Sequence, residues 1–192
     1  MYNFFAYMSR MKLIRRWSLM KSVTEENIAE HSAQVAQIAH ALAIIANKKY
    51  GKDINADRVT TLALYHEASE VITGDLPTPI KYYNPDIREA YKNIESVANQ
   101  KLLTMLPDAL KEEYLPLIEQ DADCYEHKLV KAADKLSAYI KCVEELRSGN
   151  REFAKAEAAL KNEVDAYLFM PEVRYFCDKF LASFSKTLDE LD

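Results

Sequence analysis

The sequence predicts an all-α protein folded as a single domain. Three observations carry that expectation. The 192 residues include only three glycines and are rich in Ala, Leu, Glu and Lys, a balance that favours helix over sheet. Apolar residues recur at three- and four-residue spacing along most of the chain. Helix starts and stops follow one another in order, with Asn, Thr or Asp ahead of the periodic stretches and Gly or Pro after them. At 49% hydrophobic the chain is long enough for one sizeable core, although its length alone would also allow two small ones.

Residues 3–14 read as a short amphipathic helix with Phe4, Phe5, Met8, Met11 and Leu13 apolar. IRRWSLM follows, placing Arg15, Arg16 and Trp17 together ahead of a turn. In one reading Trp17 packs inward and the arginines face water. In the other an arginine fork grips a phosphate while the indole bounds a sugar or base. Thr24 is the expected cap of a helix reaching about Lys49, with Glu25 and Glu26 in its first turn. Its stripe includes Ile28, Val35, Ile38, Ala39, Leu42 and Ile45, and His31 falls within it. Gly51 ends it. His40 reads as structural or exposed.

Asn55 caps the next predicted helix, which carries Val59, Leu62, Ala63, His66, Glu67 and Glu70 and reaches Gly74. GDLPTPIKYY is then a loop stiffened by Pro77 and Pro79. Asp86 and Glu89 suit a capping box for a helix over about 87–106. Pro107 and Asp108 open a short helix whose pattern Pro116 interrupts, before a turn near Asp121 and Asp123. Residues 126–147 are strongly helical, with Leu129, Val130, Ala133, Leu136, Ile140, Val143 and Leu146 on one face and Asp134 beside it. Gly149 closes this helix, Asn150 caps another to about Leu168, and Pro171 starts the last. His127 is expected on a solvated face.

Some classes of function are disfavoured. A net charge of −5 argues against a nucleic-acid polymer as partner. No apolar run approaches the roughly 18 residues of a membrane span, and MYNFFAYMSRMK lacks a secretory pattern. Cys124, Cys142 and Cys177 are odd in number and widely spaced, which suits a reducing cytoplasm.

His31, His66, Glu67 and Asp134 come from three predicted helices. A buried helix face carrying imidazoles beside carboxylates needs something to pair them. A divalent metal of the Mn, Co, Fe or Zn class would do so, leaving positions for water and substrate. Each residue alone reads equally well as a packing histidine or an edge carboxylate, and a helical interaction domain would show the same periodicity.

At His66-Glu67 the chain resembles the HD-domain metal-dependent phosphohydrolases, and more closely the bacterial 5'-deoxynucleotidases of the YfbR type. The resemblance is carried by RRWSLM at 15–20, TEENIAEHSAQVAQIAHALA at 24–43, YHEASEVITGDLPTPIKYYN at 65–84 and KAADKLSAYIKCVEEL at 131–146. It implies an HD-domain helical fold over 1–192 and one divalent metal cation held by His31, His66, Glu67 and Asp134. It implies hydrolysis of deoxyribonucleoside 5'-monophosphates to deoxynucleosides and phosphate. By position Arg16 would hold the phosphate, Trp17 would border the deoxyribose, and Glu70 would be the general acid or base. Asp75, Leu76, Pro77 and Thr78 would line the nucleotide pocket, with His31, Glu67 and Asp134 also on the substrate side. A homodimer is implied as well. One departure stands out: the second residue of the His-Asp dyad is here Glu67, one methylene longer. Rival readings are an HD phosphohydrolase for another nucleotide and a non-catalytic nucleotide-binding helical protein.

Overall fold

Helix α2 (Ile28–Tyr50) forms the spine, because its apolar stripe is wide enough to be covered from three sides. Against it pack α3 (Ala56–Tyr65), α7 (Tyr125–Arg147) and α9 (Pro171–Lys179). Helix α8 (Ala154–Asp165) lies on the far side of α7. Among the described residues the other α-helices are α1 (Phe4–Met8), α4 (Glu70–Thr73), α5 (Pro85–Thr104) and α6 (Asp108–Ile118). The computed structural model describes residues 1–77, 80 and 83–192, and no strand occurs among them.

Two apolar clusters organise these helices. The larger joins α2, α3, α7, α8 and α9 through residues such as Leu42, Leu62, Leu136, Ile140 and Val173. The smaller joins Phe4, Met11, Ile28, Ala68, Val71, Leu102 and Ile118. Leu62 and Ala63 belong to the first and Ala68 and Val71 to the second, so residues 64–67 cross the seam between them. Leu42 and Leu136 are fully buried, and truncating either to Ala should cost about 2–5 kcal/mol.

Several boundaries differ from the sequence reading, each for a local reason. Asn27, not Thr24, caps α2, closing a reciprocal capping box with Glu30. Thr24 is held instead by α7. The helix expected to run from 55 to 74 stops at Tyr65, and tight turns through residues 66–69 separate α3 from α4. Asn84 caps α5 in place of Asp86, its side chain accepting from Ile87 N–H at 2.7 Å. Pro116 does not interrupt α6, which runs on to Ile118. Residues 3–14 divide into α1 and a 3-10 turn at Ser9–Leu13. Asn150 caps the 3-10 turn at Arg151–Phe153, and α8 ends at Asp165 rather than Leu168. His127 is half-buried, its Nδ1 3.1 Å from Gln120 Oε1, while His40 is exposed as expected.

Candidate metal centre and nucleotide site

Three elements deliver four ligand atoms to one point. Helix α2 brings His31, the turn ending α3 brings His66 and Glu67, and the middle of α7 brings Asp134. One ligand atom from each lies within 4.8 Å of every other. His31 Nε2 is 3.1 Å from Asp134 Oδ1. His66 Nε2 is 3.4 Å from Glu67 Oε1 and 3.9 Å from the same Asp134 oxygen. The break in the α3–α4 helix makes this convergence possible, since a straight helix would carry Glu67 about 100° around from His66.

Each imidazole is held by its other nitrogen. His66 Nδ1–H donates to the Ala63 carbonyl at 2.7 Å, leaving a lone pair on Nε2. That Nε2 is buried and has no hydrogen-bond partner. His31 Nδ1 lies 3.1 Å from Ser137 Oγ, whose own proton goes to Gln34 Oε1 at 2.6 Å. Nδ1 is therefore the protonated nitrogen, and the Nε2 lone pair faces a carboxylate oxygen. Two lone pairs do not approach to 3.1 Å without a proton or a cation between them. Burial, and secondarily the nearby Arg16 guanidinium, push the His31 pKa down and favour the neutral ring. An orphaned lone pair, a neutral second imidazole and two acids are a donor set that fits a divalent metal.

Burial works to raise both carboxyl groups, but their neighbours prevail. Contacts with His31, His66 and Lys135 hold Asp134 well below the usual carboxylate range. Glu67 is held low by a hydrogen bond with Glu70 and by His66. A hydrogen bond between two carboxyl groups needs one proton. Glu70, the other partner in that hydrogen bond, is itself buried at the start of α4.

The segment that brings Arg16 near His31 is not helical. Arg15 pairs with Asn27 in an isolated antiparallel bridge, reinforced by Arg16 N–H to Glu26 O at 3.0 Å and Ile28 N–H to Ile14 O at 3.0 Å. One carboxylate oxygen, Glu26 Oε2, accepts from both Arg16 Nη1 at 2.9 Å and Trp17 Nε1 at 3.0 Å. Trp17 stands at φ +59°, the left-handed region. For a bulky residue that conformation costs about 1–3 kcal/mol and persists only when its surroundings enforce it. Its ring packs 5.3 Å from Phe153, and Met20 N–H closes a turn onto its carbonyl at 2.8 Å.

The structure thus gathers His31, His66, Glu67 and Asp134, joins Glu70 to them through Glu67, and sets Arg16 close enough to act on His31. Asp75, Leu76 and Pro77 lie half-buried in the loop leaving α4 at Gly74, whose φ of +73° favours glycine. Thr78 lies outside the described residues. Glu26, Ser137, Gln34 and the Ala63 carbonyl were missed in the sequence. Two of them had a signal: Gln34 follows His31 by three positions and Ser137 follows Asp134 by three, each on the ligand's own helix face.

Comparison with known proteins shows the family and the fold. The family described as 5'-deoxynucleotidase YfbR-like matches residues 3–184. A 5'-deoxynucleotidase of Vibrio vulnificus is 54% identical over 190 residues, covering 98% of this chain and 97% of the relative. One from Yersinia pseudotuberculosis is 55% identical over 192 residues, covering 100% and 97%. Among solved structures, an HD-domain phosphohydrolase from Listeria innocua superposes with a TM-score of 0.82 at 25% identity, covering 95% of this chain and 88% of that one. The cyanophage S-2L HD phosphohydrolase, bound to dA and one catalytic Zn2+ ion, shares the fold at a TM-score of 0.69 and 19% identity, over 93% and 96% of the two chains.

Proposed function

The chain belongs to the YfbR-like 5'-deoxynucleotidase family, and from that premise we propose how its own residues divide the work. It is a phosphomonoester hydrolase that converts deoxyribonucleoside 5'-monophosphates to deoxynucleosides and phosphate, with one divalent cation as cofactor. The observation that carries the site assignment is the buried, unpartnered His66 Nε2 facing His31, Glu67 and Asp134. Those four residues hold the cation. When bound, it lowers the pKa of water and neutralises charge on a phosphate oxygen.

The protein groups do the rest. Arg16 spends one N–H on Glu26 and keeps other donors of its planar fork for the phosphate. Glu70 holds the proton that the leaving 5' oxygen requires and delivers it as general acid. Glu67 holds Glu70 in place through their hydrogen bond. Trp17 borders the deoxyribose, and a wall that cannot solvate a 2'-hydroxyl rejects ribonucleotides by desolvation and crowding. Asp75, Leu76 and Pro77 line the nucleotide pocket, with no strong preference among bases.

Residues 1–192 act as one HD-type domain, working as a homodimer in the cytoplasm. The dimer rests on the family resemblance. The compartment rests on Cys124, Cys142 and Cys177 all being free thiols. Light scattering across a wide concentration range tests the dimer, and a monomer throughout would reject it.

The test of function is phosphate release from a panel of ribo- and deoxyribonucleoside 5'- and 3'-monophosphates with Mn, Co, Mg and Zn. Deoxy 5'-monophosphates should be turned over well ahead of the others. Turnover of 3'-monophosphates alone would place the chain with HD phosphohydrolases of another substrate. Silence with every ion despite nucleotide binding would direct attention to Glu67, and Glu67→Asp, one methylene shorter at the same charge, would decide whether that carbon is the defect.

A further inference from the structure

A buried ion pair lies on α7, two turns beyond Asp134, away from the metal ligands. Lys141 Nζ is 2.5 Å from Glu145 Oε1, and both side chains are almost wholly buried. Their partners are not on α7. Glu145 Oε2 accepts from Val23 N–H at 2.8 Å and Oε1 from Thr24 N–H at 3.1 Å, while the Lys141 ammonium donates to the Thr24 carbonyl. Asn150 Nδ2 adds contacts of 2.6 Å to the Lys21 carbonyl and 2.7 Å to Glu145 Oε2. Four hydrogen bonds thus fasten residues 21–24 to groups on, and just beyond, a helix more than a hundred positions away. The same ammonium lies 5.9 Å from the centre of the Phe153 ring, on which Trp17 packs at 5.3 Å.

Residues 17–24 form a loop with two anchors. Its base is the pairing of 14–16 with 26–28, and its tip is the Lys141–Glu145 clamp. Between them Trp17 keeps a left-handed backbone that its own preferences oppose. A packed apolar pair could bury the same volume without ionic groups. It could not grip three backbone groups of an irregular segment.

We propose that Lys141 and Glu145 are positioning residues for the reaction: by clamping residues 21–24 they hold Trp17 and Arg16 at the nucleotide and so set sugar selectivity. This rests on the reading of Trp17 as the wall beside the deoxyribose.

Trp17 is the single tryptophan of the chain, so its emission reports the loop directly. The variants are Glu145→Gln and, as a milder one that keeps a helix cap, Asn150→Ser. In metal-loaded enzyme both should retain helical circular dichroism and metal stoichiometry, while acrylamide quenching of Trp17 rises about twofold or more. The ratio of kcat/KM for deoxy over ribo 5'-monophosphate should fall about tenfold, the scale of one misplaced pocket contact. A loss of folded protein alone would lower both substrates equally and leave the ratio untouched. Unchanged quenching and an unchanged ratio in folded Glu145→Gln would overturn the proposal. Trp17→Ala separates the two ideas. If it leaves the ratio unchanged, the reading of Trp17 at the sugar fails, and the quenching result alone then decides the clamp.

Discussion

The two walls of the site are built by different physics. The metal wall is framed by helices: α2, the turn ending α3 and α7 meet over a dry apolar cluster, with His31 and Asp134 on helical backbone and His66 and Glu67 on the turn. The Arg16–Trp17 wall has no regular element beneath it. It is an irregular segment with a strained backbone, held by one carboxylate at Glu26, a short antiparallel pairing and the ionic clamp from α7. The first wall draws its rigidity from packing, which is non-directional and spread over many residues. The second draws it from a few directional contacts, so single substitutions there should change position before they change stability. On the proposed reading of Trp17, that division suits an enzyme whose metal must stay fixed while its sugar wall discriminates by small displacements.

The largest expected effect breaks the metal wall. Asp134→Ala removes the carboxylate that both imidazoles face. Metal occupancy should be lost and phosphate release should fall to background, with helicity kept, as elemental analysis and circular dichroism will show. Full metal content in this variant would remove Asp134 from the ligand set. Glu70→Gln is next. It keeps every ligand and removes the transferable proton, so kcat should fall by roughly 10²–10⁴-fold with metal affinity little changed. A Glu70→Gln enzyme of normal kcat would end the general-acid assignment.

Ser137→Ala is a smaller perturbation of the same wall. It leaves His31 in place but removes the group that receives its Nδ1 proton and passes the constraint to Gln34. Outer contacts of this kind are worth about 10–100-fold in metal affinity. Calorimetric titration should place the loss within that range, and affinity equal to wild type would mean that packing alone orients the ring.

The same contrast governs what the sequence discloses. Helix spacing places His31, His66 and Asp134 on apolar faces, and those faces are the core, so the helices are legible from periodicity, while the four-residue constellation is a weak signal there until the resemblance singles it out. The turn at 66–69 is not legible, because Ala68 and Val71 continue a helical pattern while the two apolar clusters pull the chain across their seam. Thr24 reads as a cap for the same reason. A good capping residue is a local signal, whereas its actual partners, Lys141 and Glu145, are set by contacts 117 and 121 positions distant. Nothing in RRWSLM tells Trp17 which conformation to take. The loop wall is a product of tertiary structure, and sequence discloses it only through resemblance.

The smallest effect separates the two walls by pH. The Glu145 carboxyl would be raised by burial, but Lys141, the Val23 and Thr24 N–H groups and Asn150 hold it near 2 against an ordinary value of 4.5. A carboxyl whose folded pKa is depressed stabilises the folded arrangement fully above its unfolded value, and that contribution is lost as pH falls from about 4.5 towards 2. The loss falls on the clamp and so on the loop; Asp134 and Glu67 of the metal wall are depressed as well, but the apolar clusters that hold its helices together do not titrate. On acidification, Trp17 emission should shift before the far-UV helical signal does. In Glu145→Gln the early phase should disappear, because the amide cannot titrate. Coincident transitions of emission and helicity in the wild-type protein, at every pH between 5 and 2, would mean that the loop and the helices form one cooperative unit. In that event the directional contacts of the loop wall would be as deeply embedded in the fold as the packing of the metal wall, and the contrast between them would be one of chemistry without one of stability.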